Sequence, residues 1–155
     1  MEGVRTAEPG DLERCTELLS AARRAAGGRG AGLPGAPLAG PDTVADWLVD
    51  GPSRLVLVGT FQGAVVGLAT GHVASEGPGE GAGRRLGTID CCYVEPAARD
   101  VGVGGAMMTE LVGWFGRQGC TGIDAPALPG DRETKRLYEA AGFKARLLVL
   151  HRPLR

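Results

Sequence analysis

The stretch Val94-Glu95-Pro96-Ala97-Ala98-Arg99-Asp100-Val101-Gly102-Val103-Gly104-Gly105-Ala106 holds the residue types and spacing most able to do chemistry. It passes from the end of an apolar strand, through a short polar loop, into a glycine-rich helix start. Met107, Met108, Leu111, Val112, Trp114 and Phe115 then continue at helical spacing. Backbone N–H groups converge at a helix N-terminus, and glycines there let a ligand approach closely. That arrangement predicts a cradle for a phosphate-bearing ligand. A dinucleotide-binding fingerprint would need a third glycine two residues after Gly105. Met107 stands there instead, so that reading fails.

The elements that must hold this cradle follow from periodicity and punctuation. Val4-Arg5-Thr6 reads as a short extended start, and Asp11 as a cap for a helix carrying Leu12, Cys15, Leu18, Leu19 and Ala22. Residues 27–40 are rich in Gly, Ala and Pro and read as a mobile connection. Pro41-Asp42 opens a short helix through Trp47 and Leu48. Residues 54–61 and 64–73, joined by Gln62-Gly63, read as a β-hairpin. A glycine-rich loop over 75–85 leads to a strand over 86–94, and the glycine-initiated helix runs over 102–117. Residues 122–125 form a brief strand, 131–141 a helix stopped by Gly142, and 143–151 a closing strand. Helices and strands interleave, so the fold class is α/β (α+β), with a mixed sheet.

Composition sets the outer limits. A chain of 155 residues fits one domain over 1–155 with a proper core. Its 43% apolar and 23% charged residues are ordinary for a globular protein. A net charge of −1 gives no electrostatic case for nucleic acid. There is no apolar run of membrane-spanning length and no basic, apolar signal sequence, so a cytoplasmic protein is expected. Cys15, Cys91, Cys92 and Cys120 lack Cys-x-x-Cys spacing, the histidines are His72 and His151, and no metal is expected. Cys91 and Cys92 read as buried, inert strand residues.

Arg99-x-x-Gly102-x-Gly104 after a Val-x-Pro strand end resembles the acetyl-CoA-binding motif of the GNAT N-acetyltransferase superfamily. Three further stretches fall in that family's order: Val4-Arg5-Thr6-Ala7 with Asp11, Phe61-x-Gly63-x-Val65-Val66-Gly67, and Leu137-Tyr138-Glu139-Ala140-Ala141-Gly142-Phe143. The resemblance implies a mixed, mostly antiparallel sheet flanked by helices. It implies an acetyl-CoA-dependent acyltransferase acting by direct attack of a primary amine, on a small molecule or peptide, in a ternary complex. Many members pair as homodimers. The alternative is a catalytically weak domain that binds coenzyme A as a sensor or partner module.

The same resemblance assigns roles. Val101, Gly102, Val103, Gly104, Gly105 and Ala106 would hold the pyrophosphate, with Arg99 bracing the loop or the phosphates. Asp100 and Gly105 depart from the family's usual residues and lower the positive charge there. Cys92, Tyr93 and Val94 would pair with the pantetheine arm, and the amide near Val94 would polarise the thioester carbonyl. Tyr138 would protonate the departing thiolate, or else pack beneath the sheet with Leu137 and Phe143. Asp131 falls where the family commonly has a cofactor-bonding Asn, and it is also a ready helix N-cap. Asp90 interrupts an apolar strand beside the expected thioester and is the first candidate base, with Glu95, Glu76 and His72 behind it. Strand alternation puts Asp90 on one face with Cys92 and Val94.

Overall fold

The computed structural model describes residues 1–27, 38, 40–75, 79 and 83–155. Most of the expected connection 27–40, part of the loop 75–85, and Glu76 lie outside the described residues. The elements run β1 (Glu2–Thr6), α1 (Leu12–Ala26), α2 (Val44–Leu48), β2 (Arg54–Phe61), β3 (Ala64–Ser75), β4 (Arg85–Val94), α3 (Val103–Arg117), β5 (Gly122–Asp124) and α4 (Arg132–Ala140).

Helix α1 buries Cys15, Leu18, Leu19 and Ala22, the stripe its spacing predicts. Asp11 does not cap it. Its carboxylate turns back to accept from the Glu8 amide at 2.8 Å and from Arg5 at 2.7 and 2.9 Å, tying β1 to the helix entry. Helix α2 starts at Val44 behind a reciprocal Thr43–Asp46 capping box, slightly later than Pro41-Asp42 suggests.

The strands form one sheet in the order β1-β2-β3-β4-β5. The first four are antiparallel neighbours, and β5 joins β4 in parallel. Gln62 and Gly63 make the β2–β3 hairpin turn with φ of 50° and 83°. Among the described residues, two helices cover each face. Val56, Val58, Leu68 and Cys91 pack with α1 and α2, while Leu57, Ala69 and Ile89 pack with α3 and α4.

Helix α3 lies unusually close to the sheet, and glycines in the strands make that approach possible. A Cβ on Gly59 would sit 2.4 Å from the Val103 side chain, and one on Gly87 would sit 2.5 Å from the Phe115 ring. Ordinary side chains there would lift α3, and with it the loop 99–106, off the end of β4.

Two expectations are corrected. A bulge in the β3–β4 ladder lies between Thr70, paired with Cys91, and Gly71, paired with Ile89. Asp90 is the extra residue, so alternation reverses across it. Cys92 and Val94 pack on the α3 side with Ile89, whereas Cys91 and Tyr93 pack on the α1 side. Asp90 therefore does not share a face with Cys92 and Val94. The second correction is the closing strand: residues 143–151 have no strand pairing, and everything from Lys144 onward is exposed. The apolar pattern is present, but the chain's own sheet does not take it up.

Candidate active site

The site begins where β4 and β5 part. Their pairing is confined to Leu86–Gly122, Gly87–Ile123 and Thr88–Asp124, while β4 continues to Val94. Ala125-Pro126 follows β5, and a proline has no N–H with which to extend a ladder. The gap opens a cavity of about 390 Å³. Its walls include Asp90, Cys92 and Tyr93 from β4, Pro126 and Leu128 from the diverging chain, and Asp131 and Tyr138 from α4 and its entry. Ala22 and Ala25 of α1 line the same space, so it crosses the sheet from the α1 side to the α4 side.

The glycine loop lies beside this cavity. Only Arg99 of residues 99–106 contributes to the wall. Asp100 and Gly102 take the left-handed conformation, with φ of 65° and 91°, as the chain turns into α3. No side chain caps α3, and the first intrahelical bond shown at its start comes from the Ala106 amide to Gly102 O at 3.0 Å. The amides of Val103, Gly104 and Gly105 precede that bond, as the first N–H groups of any helix must. A Cβ on Gly104 would only touch Leu137 and Val94, at 3.4 and 3.6 Å, and one on Gly105 would meet nothing within 4 Å. The uncapped helix start, open at Gly105, fits an anion, whereas the carboxylates of Asp100 and of Glu2, 3.9 Å from where a Cβ on Gly102 would sit, add opposing charge nearby.

Arg99 is a brace. Its Nε donates to Val94 O at 2.9 Å, its Nη1 bonds the Glu133 carboxylate at the start of α4, and its guanidinium lies 5.7 Å from the Tyr93 ring. One side chain thus links the end of β4, the loop and α4. Asp131 caps α4 by accepting from the Thr134 amide at 3.2 Å, the local role its sequence position suggests.

Tyr138 is 5% exposed and stacks at 5.6 Å from Phe143. Burial pushes its phenol well above the ordinary range, so the hydroxyl keeps its proton at neutral pH. No described residue bonds that hydroxyl, although it belongs to a side chain on the cavity wall. Cys92 opposite is likewise held neutral, with burial pushing its thiol to about 12.

Asp90 is anchored in a way its sequence position gives no hint of. Its Oδ2 accepts from Arg54 Nη1 at 2.8 Å and from His72 Nδ1 at 2.7 Å. Arg54 is nearly buried and also reaches Asp50 at 2.7 Å and Thr70 Oγ1 at 3.2 Å, with Trp47 5.6 Å away. Since an ionised carboxylate only accepts, Nδ1 of His72 is the donor in that pair. Glu95 is engaged elsewhere, accepting from Arg14 at 2.6 Å.

Arg54 and His72 come together with Asp90 only through sheet register, in which Arg54 pairs with His72 and His72 with Thr88. Removing Asp90 would leave a nearly buried guanidinium short of a partner. We expect Asp90→Ala to lose about 3 kcal/mol of stability, the low end for breaking a buried pair because Asp50 remains. Urea unfolding of the two proteins measures it; an unchanged midpoint would mean that the ion pair contributes nothing net.

The sequence model of the Acetyltransferase (GNAT) family matches residues 15–143. Curated proteins provide no match. Among solved structures, a variant of the BH1408 protein of Bacillus halodurans superposes with a TM-score of 0.83 at 15% identity, covering 99% of each chain. An acetyltransferase of Trypanosoma brucei gives 0.70 at 23% identity, covering 99% of this chain and all of its own. AAC(6')-Iy in complex with the bisubstrate analogue CoA-S-monomethyl-acetylneamine gives 0.74 at 17% identity, covering 100% and 99%. At such identities the superpositions establish a shared fold.

Proposed function

The chain belongs to the GNAT acetyltransferase family, and from that premise we propose that it moves an acetyl group from acetyl-CoA to a primary amine by direct attack in a ternary complex. One observation carries the reading: the cavity between β4 and β5 has the uncapped start of α3 beside it and, on its wall, Tyr138, whose hydroxyl bonds none of the described residues. A relative of the same fold holds a coenzyme A bisubstrate analogue, which supports coenzyme A as the donor's carrier. The acceptor is a small-molecule or peptide amine.

Acetyl-CoA supplies the acetyl thioester. The amides of Val101 to Gly105 bind its phosphates, that of Ala106 being taken by Gly102 O at 3.0 Å, and Cys92, Tyr93 and Val94 run beside its pantetheine arm. Asp131 is available as an acceptor on the same wall. Arg99 fixes the Val94 peptide through its carbonyl, which steadies the neighbouring amide as a donor to the thioester oxygen. The amine nitrogen bonds to the carbonyl carbon as the carbon–sulfur bond breaks. Tyr138 gives its proton to the leaving sulfur. The amine's proton passes to the Asp90–His72 pair. Asp90 is already engaged by Arg54 and His72, so it acts by orienting His72, which takes the proton through water. Neutral thiols at buried Cys91 and half-buried Cys92 favour this route over an acyl-cysteine.

Two measurements test the reading together. Acetyl-CoA at a hundred times its Kd should add about 2.7 kcal/mol of stability, which for a domain of this size raises the Tm by roughly 5–10 °C. An amine panel should release free coenzyme A thiol steadily. A thermal shift with no thiol release from any amine would support the sensor reading instead, and no shift at all would refute cofactor binding. Asp90→Asn should also slow steady-state thiol release while leaving coenzyme A affinity unchanged, because His72 loses the carboxylate that orients it. An unchanged rate removes Asp90 and His72 from the mechanism.

A further inference from the structure

We infer that Glu133 sets how tightly this site holds coenzyme A, its carboxylate competing with the cofactor's phosphates for the Arg99 guanidinium and hastening release of the spent carrier. This rests on the coenzyme A reading above. Acetyl-CoA and coenzyme A carry the same phosphates, so loss of the acetyl group does nothing to loosen that end. Binding that is equal in substrate and transition state lowers KM without raising kcat. Where it also holds the product and release limits turnover, it slows the enzyme. Whatever eases release has to come from the protein's side of the phosphate contacts.

Glu133 is placed to do this. It is the second residue of α4, its side chain is 70% exposed, and its Oε2 accepts from Arg99 Nη1. Four residues on, along the same helix face, Leu137 abuts the start of α3: a Cβ on Gly104 would sit 3.4 Å from it. The Glu133 carboxylate therefore stands one helical turn from that contact, on the guanidinium that opens the loop 99–106. The attachments of Arg99 differ in kind. Its Nε bond to Val94 O and its place near the Tyr93 ring tie it to β4. Its Nη1, by contrast, holds an exposed carboxylate on a rotatable stem. Exposed ion pairs contribute little, whereas a guanidinium matches the geometry of a phosphate. A phosphate can thus take Nη1 from Glu133 without uprooting Arg99. The displaced carboxylate is not stranded, because exposed Arg136 lies three positions further along the same helix, within reach. Charge around the cradle points the same way. Asp100 and Glu2 stand beside the helix start, so incoming phosphates draw on Arg99 for balance, and Glu133 withholds it.

Calorimetric titration of the parent and of Glu133→Gln with coenzyme A tests this. Glutamine keeps the size of the side chain and removes only its charge. The variant should bind about 2–5-fold more tightly, the contribution of one exposed ion pair, and coenzyme A should inhibit its turnover at correspondingly lower concentration. If Glu133 only supports α4 through the helix dipole, the variant loses a little stability and gains no affinity, and the inference is overturned. In an Arg99→Ala background the gain should vanish. A gain that persists there means that the carboxylate repels the phosphates directly, which overturns the exchange equally. Should the double variant bind too weakly to measure, a crystal structure of the parent with coenzyme A decides: Nη1 of Arg99 on a phosphate oxygen supports the exchange, and Nη1 still on Glu133 overturns it. A parent that binds no coenzyme A refutes the cofactor reading and this inference with it, whereas binding with no gain in Glu133→Gln refutes the exchange alone.

Discussion

Tyr138→Phe should turn over about 10²–10⁴ times more slowly than the parent, with acetyl-CoA affinity and Tm unchanged. The substitution keeps the ring on Phe143 and within the core shared with Met107 and Leu111, and removes only the oxygen. The lost rate corresponds to about 3–5 kcal/mol of transition-state stabilisation. Burial keeps the phenol protonated through the neutral range, so the donor is in its working form wherever the amine is reactive. Steady-state thiol release with a saturating amine measures the effect, and single-turnover rates separate it from product release. A variant that keeps the parent rate across the pH range would leave Tyr138 as a packing residue. A fall in rate accompanied by a fall in Tm would point to damaged packing rather than a missing proton.

Gly105→Glu should weaken acetyl-CoA about 10–100-fold while leaving the fold as stable as before or more so. The two effects come from different physics, which makes the substitution diagnostic. A side chain at 105 meets open space, and Gly105 is not in the left-handed region, so there is no steric or backbone penalty. Gly105 is the third residue of α3, where replacing glycine gains at most about 0.5–1 kcal/mol, and a carboxylate in the first turn is favourable to the helix dipole. The same carboxylate repels phosphates and competes for the amides of α3. Charge-assisted hydrogen bonds are worth about 1.5–3 kcal/mol each, and losing one or two accounts for the expected change in Kd. Gly105→Ala is the control, expected to gain the stability and keep the affinity. Gly102 is a poorer probe, because its φ of 91° penalises any other residue whether or not a ligand binds there. Calorimetric titration with coenzyme A decides the matter: undiminished affinity in Gly105→Glu would move the phosphates away from this helix.

The elements of the site were legible in the chain because each is specified locally. The apolar stripe Cys15-Leu18-Leu19-Ala22, the Gln62-Gly63 turn, the glycine-initiated helix after Val94 and the Asp131 cap each need only a few neighbouring residues. The family follows from four short motifs in order, and the match over residues 15–143 agrees. What the sequence could not carry were relations fixed by pairing between distant strands. One bulged residue at Asp90 reverses which side chains of β4 face which helix layer, and an extra residue leaves no mark in an alternating pattern. Arg54 meets Asp90 across 36 positions of sequence, through registers that two successive ladders set.

The sequence by itself therefore determined the helices, every strand but the closing one, and the glycine turn into α3, because propensity, periodicity and capping act over a few residues. Tertiary structure alone decided where β4 and β5 separate, which carboxylate is anchored and by what, and that glycines at 59 and 87 let α3 settle onto the sheet. It also decided the fate of residues 144–155. Their pattern specifies a strand, but a strand's hydrogen bonds are made to another segment, and the sequence of one segment cannot say where that other segment lies.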